Sequence, residues 1–478
     1  MSRNILLVEP RYPTKFPPLG LMKISTYHKK LGDKVKFVKG YHKEVPSEYW
    51  DRIYITTLFT YHWKITVEDI FFYKSLLHDD SLRIFIGGIM ASLMPTELYH
   101  ETGIWPIIGL LSTPGIFGDD NSYIIEEMIP DYNLFDLSIY KYSLLDSYFG
   151  YSTRGCVNKC DFCGVPILEP NFIEYKGIKP YIKEIDNLFG VKQNLVLFDN
   201  NILASQHFAE IIYDIIDVGF GKGAKLNDKL RYVDFNQGTD ARLMKEWHFK
   251  LLSKIAISPL RIAFDHINLQ KIYVNKIRLA AKYGITNLSN YILYNHNDTP
   301  EDLWKRLKIN INLNKELGVK IYSFPMKYIP LNAKDRKFIA MPKWNWYFLR
   351  GVQRILNVTG GSVMTGEDFF YRAFGESVED FIKILYMPES ILMYRGKTPG
   401  NKELEWTNYF DRLTESERRE LLLIICKNRS KHTLINAILT NNNLKLTNIL
   451  EYYLPISYDN NLPLFINNSQ QEDDTNGS

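Results

Sequence analysis

The sequence predicts an α/β protein in three parts: an N-terminal doubly wound, Rossmann-like domain, a partial (β/α)6 barrel of the TIM type, and a helical C-terminal region. Three observations carry this expectation. Short apolar runs alternate with amphipathic stretches over about residues 1–115. From Tyr148 onward a strand-like run recurs every 30 to 45 residues or so, six times in all. Beyond residue 340 that beat stops, while apolar residues continue to recur at helical spacing.

In the first part, Asn4 to Glu9 reads as a strand, followed by a proline-rich loop from Pro10 to Pro18 and an amphipathic helix that starts at Leu19 and stops at Gly32. Val35 to Val38, Arg52 to Thr56 and Arg83 to Ile86 read as further strands, with a helix over Val67 to Leu77. A ligand crevice of such a domain lies at the carboxyl ends of its strands. Residues 116–147, containing Pro130-Asp131-Tyr132, read as a linker.

The six strands of the second part, residues 148–335, are expected at Tyr148–Thr153, Leu195–Phe198, Tyr232–Phe235, Arg261–Phe264, Ser289–Leu293 and Lys320–Phe324. Between the second and third, Ile211, Ile212, Ile215 and Ile216 mark a helix. Another begins at Thr299-Pro300-Glu301-Asp302, where Thr299 can cap free amides, Pro300 suits the first turn and the acids favour the positive end of the helix. Six units without a seventh and eighth imply an open barrel whose functional residues stand on loops at the carboxyl ends of the strands. Thr414–Ile425 and Leu434–Leu454 read as helices of the C-terminal region, residues 336–466, and the polar residues 467–478 as a disordered tail.

With 45% apolar and 23% charged residues the chain has the composition of a globular protein, and a net charge of +4 over 478 residues makes no electrostatic case for a nucleic acid or an anionic membrane. Nucleic acid is left undecided as a partner. No run approaches a membrane span, and the opening MSRNILLVEPRYP lacks the features of a signal peptide, so a cytoplasmic protein is expected. Of its four cysteines, three fall within eight residues. That pattern is a poor disulfide framework but a good metal site.

The cysteine loop reads Thr153-Arg154-Gly155-Cys156-Val157-Asn158-Lys159-Cys160-Asp161-Phe162-Cys163-Gly164-Val165-Pro166. Structural zinc takes four protein ligands, usually as two separated pairs. Three thiolates on one loop, Cys156, Cys160 and Cys163, instead suit a [4Fe–4S] cubane with three irons held and one open. A zinc site completed by a distant histidine or by Cys426 is the alternative. Cys426 itself follows Leu421-Leu422-Leu423-Ile424-Ile425 and reads as a core thiol.

This loop, its aromatic Phe162 and the six-unit pattern resemble the radical S-adenosylmethionine (SAM) superfamily across about residues 148–330. The resemblance implies that the open iron chelates SAM and that an electron from the cluster, fed by a donor such as flavodoxin or ferredoxin, cleaves the sulfonium to start radical chemistry on a substrate the sequence does not name. It also implies cofactor contacts at strand ends. Asp199 and Asn200 after the second strand occupy the place where the family holds the SAM amino group, though no Gly-Gly-Glu stands there. Gln237, Asp240 and Arg242 after the third are candidates for the SAM carboxylate, the ribose or the substrate, with a helix cap at Asp240 and a surface pair at Arg242 as the plainer reading. Asp265 and His266 end the fourth strand, and Asn295 and His296 follow the fifth; Asp265 and Asn295 are carried as cofactor-binding candidates.

Pro17-Pro18-Leu19-Gly20-Leu21-Met22 and the strand-ending Gly87-Gly88 resemble the cobalamin-binding-type domain that precedes the barrel in one branch of that superfamily. The D-x-H-x-x-G element that would place an imidazole on cobalt is absent, and His62 in Phe59–Trp63 is a single histidine on a crevice loop. With cobalamin, methylation of an unactivated carbon is the implied reaction; without it, another radical modification of an RNA, a nucleoside or a peptide. The cysteine loop is also similar to that of the methylthiotransferases, but with no cysteine before Cys156 their second cluster has no ligands here. A non-catalytic iron–sulfur or zinc module is the remaining alternative. The stripe Trp344, Trp346, Tyr347, Phe348, Arg350 and Arg354 reads first as a helical core face.

Overall fold

The computed structural model describes residues 2–41, 45, 50–78, 80–337, 339–395 and 401–454. The tail expected at 467–478 lies outside these. The chain divides into two compact units. The first comprises residues 1–261, 282–285 and 329–336, and the second 262–281, 286–328 and 337–478.

The first unit opens with a four-stranded parallel sheet of β1 (Asn4–Glu9), β2 (Lys34–Lys39), β3 (Arg52–Thr57) and β4 (Ile84–Gly88), in the order β2-β1-β3-β4. Ile5, Leu6, Leu7 and Val8 are fully buried, as the near-continuous apolar run of a strand covered on both faces requires. The helix Leu19–Lys30 ends before Gly32, whose φ of +82° suits glycine. Leu6, Val8, Ile53, Ile55, Ile70, Tyr73, Ile86 and Met90 form one core with the helix Trp63–Leu76. At Gly88 (φ +104°) a Cβ would lie 2.3 Å from the Thr57 carbonyl oxygen. This glycine is therefore required by the close approach of β3 and β4. Apart from a short 3-10 turn at Ile125–Glu127, residues 116–146 form no regular element.

A second parallel sheet in the same unit holds β5 (Ser147–Gly150), β6 (Asn194–Leu197) and β9 (Val233–Phe235), in the order β5-β6-β9. Between β6 and β9 lies a small antiparallel hairpin, β7 (Lys225–Leu226) and β8 (Lys229–Leu230). The fourth expected strand begins as β10 (Leu260–Arg261), and the division between the units falls directly after it.

In the second unit, β11 (Asn287–Tyr294) and β12 (Lys320–Lys327) pair in parallel, and Ile262 and Phe264 donate backbone bonds to Ser289 and Tyr291 of β11. The helix Pro300–Leu317 starts as expected: Thr299 accepts from the Asp302 amide and Asp302 accepts from the Thr299 amide. Helices then follow to Leu450, around a core that includes Leu349, Val352, Phe370, Phe381, Trp406, Leu421 and Ile449. The aromatic stripe belongs to this core: Trp344, Trp346, Tyr347 and Phe348 are buried, and Arg350 and Arg354 both pair with buried Glu389. The single helix expected over 434–454 is two, Lys431–Leu439 and Leu444–Leu450. Asn441-Asn442-Asn443 breaks it, and Asn443 caps the second helix by accepting from the Lys445 amide.

Candidate functional site

β5 ends at Gly150, three residues earlier than expected, and the reason lies just past the end of β6. Asp199, which is 1% exposed, turns its carboxylate back onto Ser152 and Thr153. It accepts from the Ser152 amide (3.1 Å) and hydroxyl (2.6 Å), and from the Thr153 amide (2.5 Å) and hydroxyl (2.7 Å). The backbone here is thus fixed by a side chain in place of a sheet neighbour. Burial pushes the Asp199 carboxyl up, and these four donors pull against that shift.

The cysteine loop starts two residues later with Gly155 at φ +73°, where a Cβ would stand 2.2 Å from the Asn171 carbonyl oxygen. Glu169, at the loop's far end, accepts from the Gly155 amide (2.6 Å) and from Asn200 Nδ2 (3.0 Å), and pairs with Arg154 (3.1 Å). Arg154 stacks on the Tyr151 ring at 3.7 Å. Two carboxylates, Asp199 and Glu169, therefore tie both stems of the loop to the end of β6.

Cys156, Cys160 and Cys163 are all partly buried. Cys156 Sγ accepts from the Asn158 amide (3.4 Å) and from Asn201 Nδ2 (3.4 Å), and Cys163 Sγ from the Val165 amide (3.5 Å). Among the described residues, no three His, Cys, Asp or Glu side chains converge as a single bound ion would need. Cys426 is partly buried in the second unit, packed against its helical core, and burial raises its thiol.

Of the residues singled out by sequence, the structure gathers most of those in the first unit around this loop. Asn158 Nδ2 donates to Asp240 (2.8 Å), and Arg242 forks onto the same carboxylate (2.7 and 2.9 Å). Asp240, with Cys160 contributing, pushes the Arg242 guanidinium further above its ordinary value. Arg242 thus pairs locally, as the plainer reading expects, but Asp240 caps no helix, since the next one begins at Glu246; the pair is instead bonded to the cysteine loop. Gln237 is exposed and donates to its neighbour Asn236. Phe162 is partly buried in the loop itself.

Asn295, in the second unit, is fully buried at φ +64° and spends its amide on backbone: Nδ2 donates to the Ile339 carbonyl (2.8 Å) and Oδ1 accepts from the Met341 amide (3.0 Å). The Asp265 carbonyl accepts from buried Arg306 (2.8 Å), and His266 caps a short turn by accepting from the Asn268 amide (3.1 Å).

Asn201 is the residue that sequence reasoning missed. It is 2% exposed, donates to Cys156 Sγ, and leaves its Oδ1 buried without a partner among the described residues. The signal was its place in the run Asp199-Asn200-Asn201, where the two preceding residues drew the attention.

Beside the loop, within the first unit, Phe59, Thr60, Tyr61, Ile89, Leu93, Gly164, Val165, Leu168, Ile329 and Leu331 line a cavity of about 220 Å³. It joins the carboxyl-end loops of β3 and β4 to the short helix Val165–Leu168 that follows Cys163. Phe59 and Tyr61 stack at 5.0 Å, while Arg336 and Lys334 lie over the Tyr61 and Trp63 rings at 4.0 Å. His62, behind them, is pushed down to about 4, first by burial and then by Arg336.

No family model and no curated protein matches the chain. Among solved structures, it is similar to the radical SAM methyltransferase TsrM from Kitasatospora setae with cobalamin and a [4Fe–4S] cluster bound, at TM-score 0.48 and 15% identity over 70% of this chain and 77% of that one. The same enzyme with a tryptophan substrate and a SAM analogue (aza-SAM) gives TM-score 0.48 and 17% identity over 66% and 72%. SuiB from Streptococcus suis bound to SAM gives TM-score 0.31 and 10% identity over 48% and 49%. At these values the reading of the site rests on its own residues. Among the described residues no helix is long and apolar enough to cross a membrane.

Proposed function

We propose that this chain is a radical SAM enzyme that holds a [4Fe–4S] cluster on Cys156, Cys160 and Cys163. The observation that carries the reading is the cysteine loop itself: three thiols at C-x-x-x-C-x-x-C spacing, with amide donors on two of the sulfurs and both stems stapled by carboxylates, buried Asp199 and partly buried Glu169. Each thiolate of a cubane binds its own iron, so the three sulfurs need not meet at one point, whereas a mononuclear zinc requires that they do.

When bound, the cluster supplies the electron that cleaves SAM to methionine and a 5′-deoxyadenosyl radical. The protein's part is to orient and to exclude water. Asn158 and Asn201 donate to Cys156, and Arg242 places a cation beside Cys160, so that charge gathered on the sulfurs is partly neutralised from the protein side. The unpartnered Asn201 Oδ1 is the acceptor the site offers to an ammonium group, and Asn200 stands next to it. Asp199 serves the site by fixing Ser152 and Thr153 at the start of the loop. The partial-barrel arrangement, the division into an N-terminal domain, a barrel and a helical region, and a one-electron donor such as flavodoxin or ferredoxin belong to the same proposal.

Cobalamin at the carboxyl ends of β1 to β4 is the second reading, favoured by a parallel sheet whose strand-end loops face the cavity beside the cysteine loop. As it stands that cavity is far smaller than a corrin, so this reading requires the Phe59–Trp63 loop or residues 329–336 to move, and no step is derived through the group.

Anaerobic reconstitution tests the first reading. The protein should take up about four iron per chain and, once reduced, convert SAM to 5′-deoxyadenosine or to methyl-transfer products, and the triple variant Cys156→Ala, Cys160→Ala, Cys163→Ala should do neither. Stoichiometric zinc with no iron uptake and no SAM cleavage would overturn it.

A further inference from the structure

We infer that the cavity beside the cysteine loop is a binding site for an uncharged apolar group of the substrate, one to two rings in size. The cavity is partly open to solvent, and apart from Thr60 its lining is apolar: Phe59 and Tyr61 from the loop after β3, Ile89 and Leu93 after β4, Val165 and Leu168 after Cys163, Ile329 and Leu331 from the later segment. No Asp, Glu, Lys, Arg or His is among the lining residues, so a charged group there would be desolvated without a partner. A dry aliphatic and aromatic cavity of about 150 Å³ takes up benzene. At about 220 Å³ this one has room for a fused pair of rings or a branched chain of similar bulk.

Its position gives the occupant a role. Gly164 and Val165, both in the wall, directly follow Cys163, and the Val165 amide donates to the Cys163 sulfur at 3.5 Å. A group seated here lies against the same short turn that would carry one iron of the cluster. Part of the wall is also held: Arg336 lies over the Tyr61 ring, and Phe59 stacks on that ring. Pre-formed apolar walls bind without the cost of ordering mobile side chains. The space is not generic surplus at a glycine, because a Cβ on Gly164 would already touch Leu93 at 3.3 Å. The inference names the substrate class for the function proposed above and rests on that reading for its chemistry, but not for the binding itself.

The test is a size series on the full chain: benzyl alcohol, 2-naphthalenemethanol and 9-anthracenemethanol, titrated by calorimetry. The two-ring probe should bind one per chain and about tenfold tighter than the one-ring probe, because a second buried ring removes more apolar surface from water, while the three-ring probe, whose third ring stays outside, should bind no tighter than the two-ring probe. Ile89→Trp, which places an indole in the cavity, should weaken the two-ring probe at least tenfold; should that variant not fold, Leu331→Phe is the milder filling. Equal affinity across the series, or binding unaffected by the filling variants, would overturn the inference. So would stoichiometric retention of hydroxocobalamin that displaces the two-ring probe, which would give the cavity to a corrin. The two proposals fail separately. Absence of SAM cleavage with the size dependence intact removes the enzyme reading alone, and SAM cleavage without probe binding removes this site alone.

Discussion

Replacing Asp199 separates a residue that shapes the cysteine loop from one that holds the cofactor. Its carboxylate, 1% exposed, receives the amides and hydroxyls of both Ser152 and Thr153. In Asp199→Ala two buried backbone N–H groups and two hydroxyls lose their acceptor. Unpaired buried donors cost about 1–3 kcal/mol each, and partial rearrangement and water entry reduce the sum, so a loss of about 3–5 kcal/mol is expected. For a unit of this size that lowers the melting temperature by about 10 °C. Asp199→Asn keeps one acceptor oxygen but turns an amide NH2 toward donors, and should fall between the two. The assay is calorimetric melting of the protein, followed by iron content after reconstitution and hydrogen exchange at residues 152 and 153. Both variants should exchange faster there and load less iron. Melting and iron content equal to the parent protein, with SAM binding weakened more than tenfold, would refute the structural role and return Asp199 to the cofactor.

Three further expectations follow from other parts of the molecule. His28 is fully buried between Asp33 (2.8 Å) and the Tyr54 hydroxyl (2.9 Å), and burial pushes its imidazole down from 6.5 to about 4. A folded-state value below the unfolded one means the unfolded chain binds the proton first, so the contribution is complete above pH 6.5 and is lost as the pH falls from there toward 4, by up to about 3 kcal/mol; in His28→Gln this part of the pH dependence of urea unfolding should vanish. Arg306, fully buried, donates to the carbonyls of Phe264, Asp265 and Leu293 and pairs with Asp298 at 2.5 Å; Asp298→Ala leaves that charge uncompensated and should cost about 3–5 kcal/mol in chemical denaturation, whereas a cost under about 1 would show the pair to be dispensable. Anaerobic incubation with hydroxocobalamin, desalting and an absorbance spectrum should show near-stoichiometric corrin if the cobalamin reading holds, and its absence removes methyl transfer through cobalamin from the proposed reactions.

What the sequence disclosed depended on the range of the forces involved. β1 appears at its expected bounds because the unbroken apolar run Ile5–Val8 between two polar residues has few other ways to be buried, and the helix at Pro300 starts where it should because its capping pair lies within four residues. The hairpin Lys225–Leu230 escaped notice, since its strands are only two residues long and carry no alternating pattern; its turn residues Asn227 and Asp228, both at positive φ, were the available sign. The cysteine loop was legible from spacing alone. Its supports were not: Asp199 reaches back 47 residues to Ser152, and Glu169 reaches across the loop to Gly155 and on to Asn200. Such links depend on two strands lying side by side, and no periodicity announces them. The same holds for Asn295, whose polar side chain after a strand looked like a ligand's partner and instead secures residues 339 and 341.

The stapled stems of the cysteine loop bear on how the protein matures. A metal-binding loop that is slack before loading must surrender its conformational freedom at the moment of binding, and its affinity is reduced accordingly. Here Asp199 and Glu169 fasten both stems through protein contacts alone. On the proposed reading, cluster insertion would resemble docking into a cradle built during folding, and the apoprotein should be a stable recipient in its own right, able to wait for iron and sulfide without first unravelling.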